Sequence, residues 1–197
     1  MDKAQNQIII GKTGSGKTNK VRNLIADVDR VLIFDTTGHD YSDGVVFYDL
    51  AELKKFWSRV YQNSFRLIYR PLNEQDDFPV ICDLVWKCQD LTFVAEEIDL
   101  FCKPNATPDE VRMILKRGRH RDIRFIGVTQ RPYGIDRAVT AMGTEFFIFK
   151  TDEPRDADYL AERFGSDIRE QLKGLEQYQY LHITDHGETK IEKDNLI

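Results

Sequence analysis

The sequence predicts an α/β fold with a mainly parallel sheet flanked by helices, on three observations. Short apolar runs alternate with segments of helical periodicity. Several runs are continuously apolar rather than alternating, the pattern of strands covered on both faces. The first, Ile8-Ile9-Ile10, leads straight into Gly11-Lys12-Thr13-Gly14-Ser15-Gly16-Lys17-Thr18, which fits G-x-x-x-x-G-K-[ST], a loop that joins a strand to a helix around phosphate.

Taken in order, the expected strands are Gln7–Ile10, Val31–Phe34, Phe65–Tyr69, Leu91–Ala95, Arg124–Thr129, Glu145–Lys150 and Tyr178–Thr184. Helical patterns fall at Lys17–Ala26, Leu50–Tyr61, Val80–Lys87, Pro108–Arg117 and Asp156–Phe164. The fourth helix carries start signals: Thr107 as N-cap, Pro108 at the first position and Glu110 three residues after the cap. On the second, Trp57 and Tyr61 share a face expected to be buried, with Phe56 beside them. Thr184–Ile191 suggests a final hairpin turning near His186-Gly187.

A chain of 197 residues suffices for one domain with a real core. We take residues 1–197 as that domain, with its core over about 7–184 and a loose tail over about 192–197. A net charge of −5 argues against coating nucleic acid by bulk electrostatics and leaves any such contact to a local basic segment. No apolar run is long enough to span a membrane, and Met1–Asn6 lacks the apolar core of a signal peptide. A cytoplasmic protein without membrane insertion is expected. The odd cysteine count (Cys82, Cys88, Cys102) and the absence of C-x-x-C spacing favour reduced core thiols. His39, His120, His182 and His186 show no metal-ligand spacing and are expected on loops or the surface.

The glycine-rich loop carries the clearest chemistry. Its glycines let the backbone wrap an anion, and the N–H groups at the following helix N-terminus attract negative charge. Lys17 is expected to reach the terminal phosphates and the Thr18 hydroxyl to ligate Mg²⁺. Hydrolysis needs acids as well, and Leu91–Glu97 ends a strand in two of them, Glu96 and Glu97. Ligands of α/β sheets sit at the carboxyl ends of strands, so this pair should emerge beside the loop. Glu96 is assigned to the metal shell with Thr18, and Glu97 to the attacking water. Asp99 lies further from the strand end. Another strand end supplies Gln130-Arg131-Pro132, where the Gln130 amide is placed to sense a γ-phosphate.

Together these segments resemble the HerA/FtsK superfamily of P-loop motor ATPases. Its small viral members package genomes in internal-membrane icosahedral and poxvirus-like viruses. The resemblance rests on Gly11–Thr18, Leu91–Glu97, Gly118-Arg119-His120-Arg121, Gly127–Pro132 and the stretch Phe34–Tyr41. Glu96 departs from the Asp common at its position. The resemblance implies an additional-strand catalytic-glutamate (RecA-like) fold, ATP with Mg²⁺, a homo-oligomeric ring of five or six subunits and movement of double-stranded DNA. It also implies capsid vertex proteins as further partners, and the host cytoplasm or the virion as location.

Lys116, Arg117, Arg119, Arg121 and Arg124 form a basic run in an acidic chain. Arg119 is the first choice for an arginine finger acting on a neighbouring subunit and Arg121 the second, with Arg131 a further nucleotide-proximal arginine. The same run also suits DNA phosphates or a solvated helix end. Lys103, in the loop after the acids, is a further DNA-contact residue to test. Two other functions compete with a packaging motor. A nucleotide-dependent assembly factor of the filamentous-phage type would typically carry a membrane span. A small-molecule kinase must exclude water rather than activate it.

Overall fold

The computed structural model describes residues 5–184 and 187–194. Nine strands form one sheet: β1 (Asn6–Ile10), β2 (Arg30–Phe34), β3 (Val45–Phe47), β4 (Phe65–Tyr69), β5 (Leu91–Ala95), β6 (Ile123–Thr129), β7 (Glu145–Phe149), β8 (Gln179–Thr184) and β9 (Thr189–Lys193). Their spatial order is β3-β4-β2-β5-β6-β1-β7-β8-β9. Pairing is parallel from β3 through β7 and antiparallel across β7–β8 and β8–β9. One strand, β6, therefore stands between the strand that leads into the glycine-rich loop and the strand that ends in the acids.

Among the described residues the α-helices are α1 (Lys17–Ile25), α2 (Leu50–Val60), α3 (Glu74–Cys88), α4 (Asp109–Arg117), α5 (Arg137–Ala141), α6 (Pro154–Phe164) and α7 (Ile168–Gly174). Alternate strand residues face opposite sides, and the two sides are covered unequally. Ile8, Leu32, Phe93 and Phe125 pack in a large core with Trp57 of α2, Phe78 of α3, Ile114 of α4, Leu160 of α6 and Leu172 of α7. On the other side Ile9, Ile33, Val94, Ile126 and Phe149 pack against Val21 and Ile25 of α1. Beyond α1 that side turns polar. His182 of β8 sits between Glu145 at 2.6 Å and Glu192 at 3.1 Å, and Lys20 of α1 reaches Tyr180 and Asp194.

Local chemistry sets the ends of these elements. Asp49 caps α2 by accepting the Glu52 N–H at 2.8 Å. The third helix begins at Glu74, well before the expected Val80: Glu74, Asp76 and Asp77 favour its N-terminal dipole, and Pro79 is absorbed. The fourth begins at Asp109, so Pro108 precedes the helix rather than opening it. Thr107 does not cap it but donates to Asp136 at 3.0 Å.

Other expectations also needed correction. Trp57 is buried, but Tyr61, at the C-terminal cap of α2, is 44% exposed. His182 is a half-buried strand residue, neither loop nor surface. Glu192 and Lys193 belong to β9, and Asp194 is tied to Tyr180 and Lys20, so the stretch 192–194 is held to the sheet rather than loose. His186, at the expected hairpin turn, and residues 195–197 of the expected tail lie outside the described residues. Cys82 and Cys102 are buried and Cys88 is half-buried, all as free thiols.

Candidate functional site

The glycine-rich loop leaves the end of β1 with its backbone fixed on both sides. Gly11 N–H donates to Thr129 O of β6 at 3.2 Å, and Lys12 N–H to Lys150 O beyond β7 at 3.3 Å. Gly14 and Gly16 adopt positive φ of 74° and 112°, which the tight wrap requires. A Cβ at Gly11 would lie 2.6 Å from Phe149 Cβ and 2.7 Å from Ser15 Oγ. Lys17 folds back and donates to Lys12 O at 2.9 Å. Its burial pulls the ammonium pKa down, against the opposing pull of Glu96, Asp40, Glu97 and Asp99.

The two acids reach the same cleft through a backbone turn. Consecutive residues of an extended strand point to opposite faces, so adjacent acids at a strand end diverge unless the chain bends. Glu97 supplies the bend, at φ 50° in the left-handed region. Glu96 is buried and accepts a hydrogen bond from the Tyr41 hydroxyl. Burial raises its carboxyl pKa to about 7; Asp40 pushes the same way, while the Tyr41 bond and Lys17 oppose. Glu97 accepts from Thr36 Oγ1 at 3.0 Å.

The loop after β2 closes the site from a third side. Asp35 is buried and accepts from Thr37 N–H, Thr37 Oγ1 and Gly38 N–H, while pairing with Arg70 at 2.9 Å. That knot sets the turn that carries Asp40 and Tyr41. Thr18 Oγ1 donates to Asp40 Oδ2 at 3.3 Å. On the far wall Gln130 Oε1 accepts from Thr13 Oγ1 at 2.7 Å, bridging the end of β6 to the loop.

Lys17, Thr18, Asp40, Glu96, Glu97 and Gln130 thus line one cleft of about 440 Å³. Five of these are marked in the sequence by residue type and position; Asp40, like Thr36 and Tyr41, stands there only within the stretch Phe34–Tyr41. Nothing in their spacing marks them: Thr36 and Tyr41 meet Glu97 and Glu96 because β2 lies beside β5, and Asp40 meets Thr18 of α1. Tyr178, which also lines the cleft, was seen only as a strand residue. Asp99 faces away from this role, accepting from Thr129 Oγ1 at 2.7 Å.

The arginines stand elsewhere. The turn Gly118–Arg121 precedes β6, whose other end abuts the glycine-rich loop, so Arg119 and Arg121 lie about 20 Å from their own loop, the length of the strand. Arg119 is exposed. Arg121 is held at home: its guanidinium lies 4.2 Å above the Trp86 ring and donates to Trp86 O at 3.1 Å. Arg131 pairs with Glu153 and Asp156. Lys103 is exposed on its loop. No helix among the described residues is long and apolar enough to cross a membrane.

A glycine-rich loop leaving one strand of a mainly parallel sheet, with an interposed strand and two acids at the next strand end, is the architecture of P-loop NTPases. The chain has that fold. Among solved structures it is similar to the genome packaging NTPase B204 of Sulfolobus turreted icosahedral virus 2 in complex with ATP-gammaS, at 20% identity over all of both chains with a TM-score of 0.81. B204 of Sulfolobus turreted icosahedral virus, described as a DNA-packaging ATPase, aligns at 20% identity over 98% of each chain with a TM-score of 0.75. The N-terminal domain of zonular occludens toxin from Neisseria meningitidis aligns at 14% identity over 98% of this chain and 95% of that one, with a TM-score of 0.57. Residues 2–52 match the model of the type IV secretion-system coupling protein DNA-binding domain. No curated protein matches by sequence.

Proposed function

We propose that the chain is an ATP-hydrolysing motor that moves double-stranded DNA as a homo-oligomeric ring and packages a viral genome. The observation that carries hydrolysis is the convergence of Lys17, Thr18, Glu96, Glu97 and Gln130 on one cleft. Gly11 to Thr18 bind the phosphates, with Lys17 countering their charge. Burial holds Glu96 partly neutral, whereas a charged partner would favour its ionised form. The Thr18 hydroxyl and the Glu96 carboxylate are hard oxygen donors of the kind Mg²⁺ takes alongside phosphate oxygens and water. Bound there, the ion would neutralise phosphate charge. Glu97, oriented by Thr36, accepts the proton of the attacking water, and Gln130 contacts the terminal phosphate.

Packaging is supported by end-to-end similarity to the two B204 structures. DNA as partner is supported by these and by the coupling-protein match. Arg119 is proposed to act on the neighbouring subunit's nucleotide. ATPase rate with and without double-stranded DNA, beside a mass measurement with a non-hydrolysable ATP analogue, tests the reading. DNA-stimulated turnover by a ring supports it; turnover indifferent to DNA would favour the assembly-factor alternative.

A further inference from the structure

Three helices repeat one charge pattern, opening on an acid and closing on a base: Asp76 and Lys87 in α3, Asp109 and Arg117 in α4, Asp156 and Arg163 in α6. Each charge suits the dipole of its own helix. All three helices leave the carboxyl end of a parallel strand and run back toward the amino end of the sheet, so the preference is summed over the domain. These acids gather at the end that holds the glycine-rich loop, and these bases at the opposite end. A body polarised in this way favours contact of one copy's amino end with the next copy's carboxyl end, the head-to-tail contact that closes rings. Arg119 stands at the same amino end.

One of these bases is more than a solvated helix end. Arg163 is half-buried, with its guanidinium carbon 4.8 Å from the centre of the Phe146 ring and 5.1 Å from that of Phe164. It lines a cleft of about 260 Å³ between α5 and α6, together with Arg137, Thr140, Tyr159 and Glu162. The other polar groups of that cleft are engaged. Arg137 pairs with both oxygens of Glu162 at 2.9 Å, and the Thr140 and Tyr159 hydroxyls bond to one another. The Arg163 guanidinium makes no hydrogen bond or ion pair among the described residues. Burial pulls its pKa down, with only Tyr159 opposing. A half-buried cation without a counter-charge is unfavourable in the free chain, and an anion from outside relieves it.

We propose that the Arg163 guanidinium takes a carboxylate of the neighbouring subunit, supplied by the first turn of that subunit's α3 or α4, where Asp76 and Asp109 are exposed. The inference rests on the ring reading above, which leaves the contact between subunits unassigned. Both acids are available for it. Asp76 accepts from Asn73 in its own turn, and Asp109 has no side-chain partner among the described residues. A carboxylate matches the planar fork of a guanidinium through two parallel hydrogen bonds. A duplex phosphate suits this place less well. It is fixed on a rod and meets bases that project, such as Arg117, whereas a side chain carries its carboxylate into a cleft.

Mass measurements over a range of protein concentration, with a non-hydrolysable ATP analogue present, compare the full chain with Arg163→Met, Arg163→Lys and the double variant Asp76→Asn/Asp109→Asn. Methionine keeps contact with both rings and loses the charge. Arg163→Met and the acid variant should each need about tenfold more protein for half-assembly. Combined, they should do no worse than either alone, because they remove opposite halves of one pair. Arg163→Lys keeps the charge without the fork and should fall between. If Arg163→Met fails to fold, Arg163→Lys takes its place in the same cycle with the acid variant, whose changes are exposed. Assembly like that of the unaltered chain in Arg163→Met or in the acid variant would overturn the proposal, as would fully additive effects. Weaker binding of a DNA duplex with assembly intact would make Arg163 a phosphate contact instead. An unaltered chain that stays monomeric at every concentration would overturn the ring reading itself, and this contact with it.

Discussion

Thr36 Oγ1 donates to Glu97 Oε2 at 3.0 Å, joining the end of β2 to the end of β5. Because Glu97 already sits on a left-handed turn, this bond is what fixes the direction of its carboxylate. In the proposed role Glu97→Gln should bind ATP but not cleave it, losing about 10²–10⁴ in kcat. Thr36→Val should lower kcat by a smaller factor, about three- to tenfold, with KM unchanged, and Thr36→Ser should restore it. Normal turnover by Glu97→Gln would remove Glu97 from the chemistry.

Lys17 is the cation held over the loop by Lys12 O. Lys17→Ala is expected to abolish nucleotide binding or turnover while the fold persists, because the substitution also removes a charge whose burial is unfavourable. Calorimetric titration with the ATP analogue and a thermal melt separate the two effects. A variant that binds as well as the unaltered chain refutes the assignment.

Glu96 makes the free protein's stability depend on pH in a stated direction. Its carboxyl pKa is raised from 4.5 to about 7, chiefly by burial. The folded chain therefore holds this proton more tightly than the unfolded one, and its contribution is lost as pH rises through that window. Glu96→Gln mimics the neutral form, so it should gain about 3 kcal/mol on the unaltered chain near pH 8 and almost nothing near pH 4. Denaturant midpoints at both pH values measure this; a less stable variant at the higher pH would show that the Tyr41–Glu96 bond matters more in its ionised state.

Asp35 has no assigned chemistry, yet it organises the loop that brings Asp40 and Tyr41 to the cleft. Asp35→Ala leaves the Arg70 guanidinium, which is 15% exposed, without a carboxylate and with only Tyr41 O and the Tyr48 hydroxyl as acceptors, and releases three further hydrogen bonds. A loss of about 3–5 kcal/mol is expected, together with weaker nucleotide binding. A change under about 1 kcal/mol in urea unfolding would mean the turn is held by other contacts.

Arg119 lies far from its own loop, so any part it plays in hydrolysis must be on another subunit. Arg119→Ala and Glu97→Gln should each be inactive alone and recover part of the activity when mixed, since a mixed ring contains sites with both groups intact. Mixtures as inactive as the single variants would assign Arg119 a structural or DNA-contact role. Arg121 is a poorer choice, because a finger there must first leave the Trp86 ring.

Much of this architecture was legible before any coordinates. Strands β1, β2 and β4 to β8 were marked within a residue or two, most plainly at Ile8–Ile10 and Val31–Phe34, where burial on both faces leaves no polar positions to confuse the period. Brevity hid Val45–Phe47, Arg137–Ala141 and Ile168–Gly174, each too short for a period to declare itself. The acidic start of α3 resembled a loop because Pro79 follows it. In the site, residues that carry chemistry on themselves were visible, and those that act through a partner were not. Thr36 and Tyr41 acquire their significance from β2 lying beside β5, and Asp40 from its approach to Thr18 of α1; strand order is not written in any local window.

The interposed strand has one more consequence. Neighbouring strands stand about 4.8 Å apart, so two such steps, from β1 across β6 to β5, separate the glycine-rich loop from the acids by nearly a nanometre. That gap is a backbone dimension, gauged by the ladder of hydrogen bonds and indifferent to which side chains fill the core. Across it Lys17 and the two acids act on one another's charge through space, and it is wide enough for a phosphate chain between them. Substitutions that leave the ladder intact can therefore alter what happens in the gap without changing its width, and only a slip of β6 against its neighbours would retune the gauge.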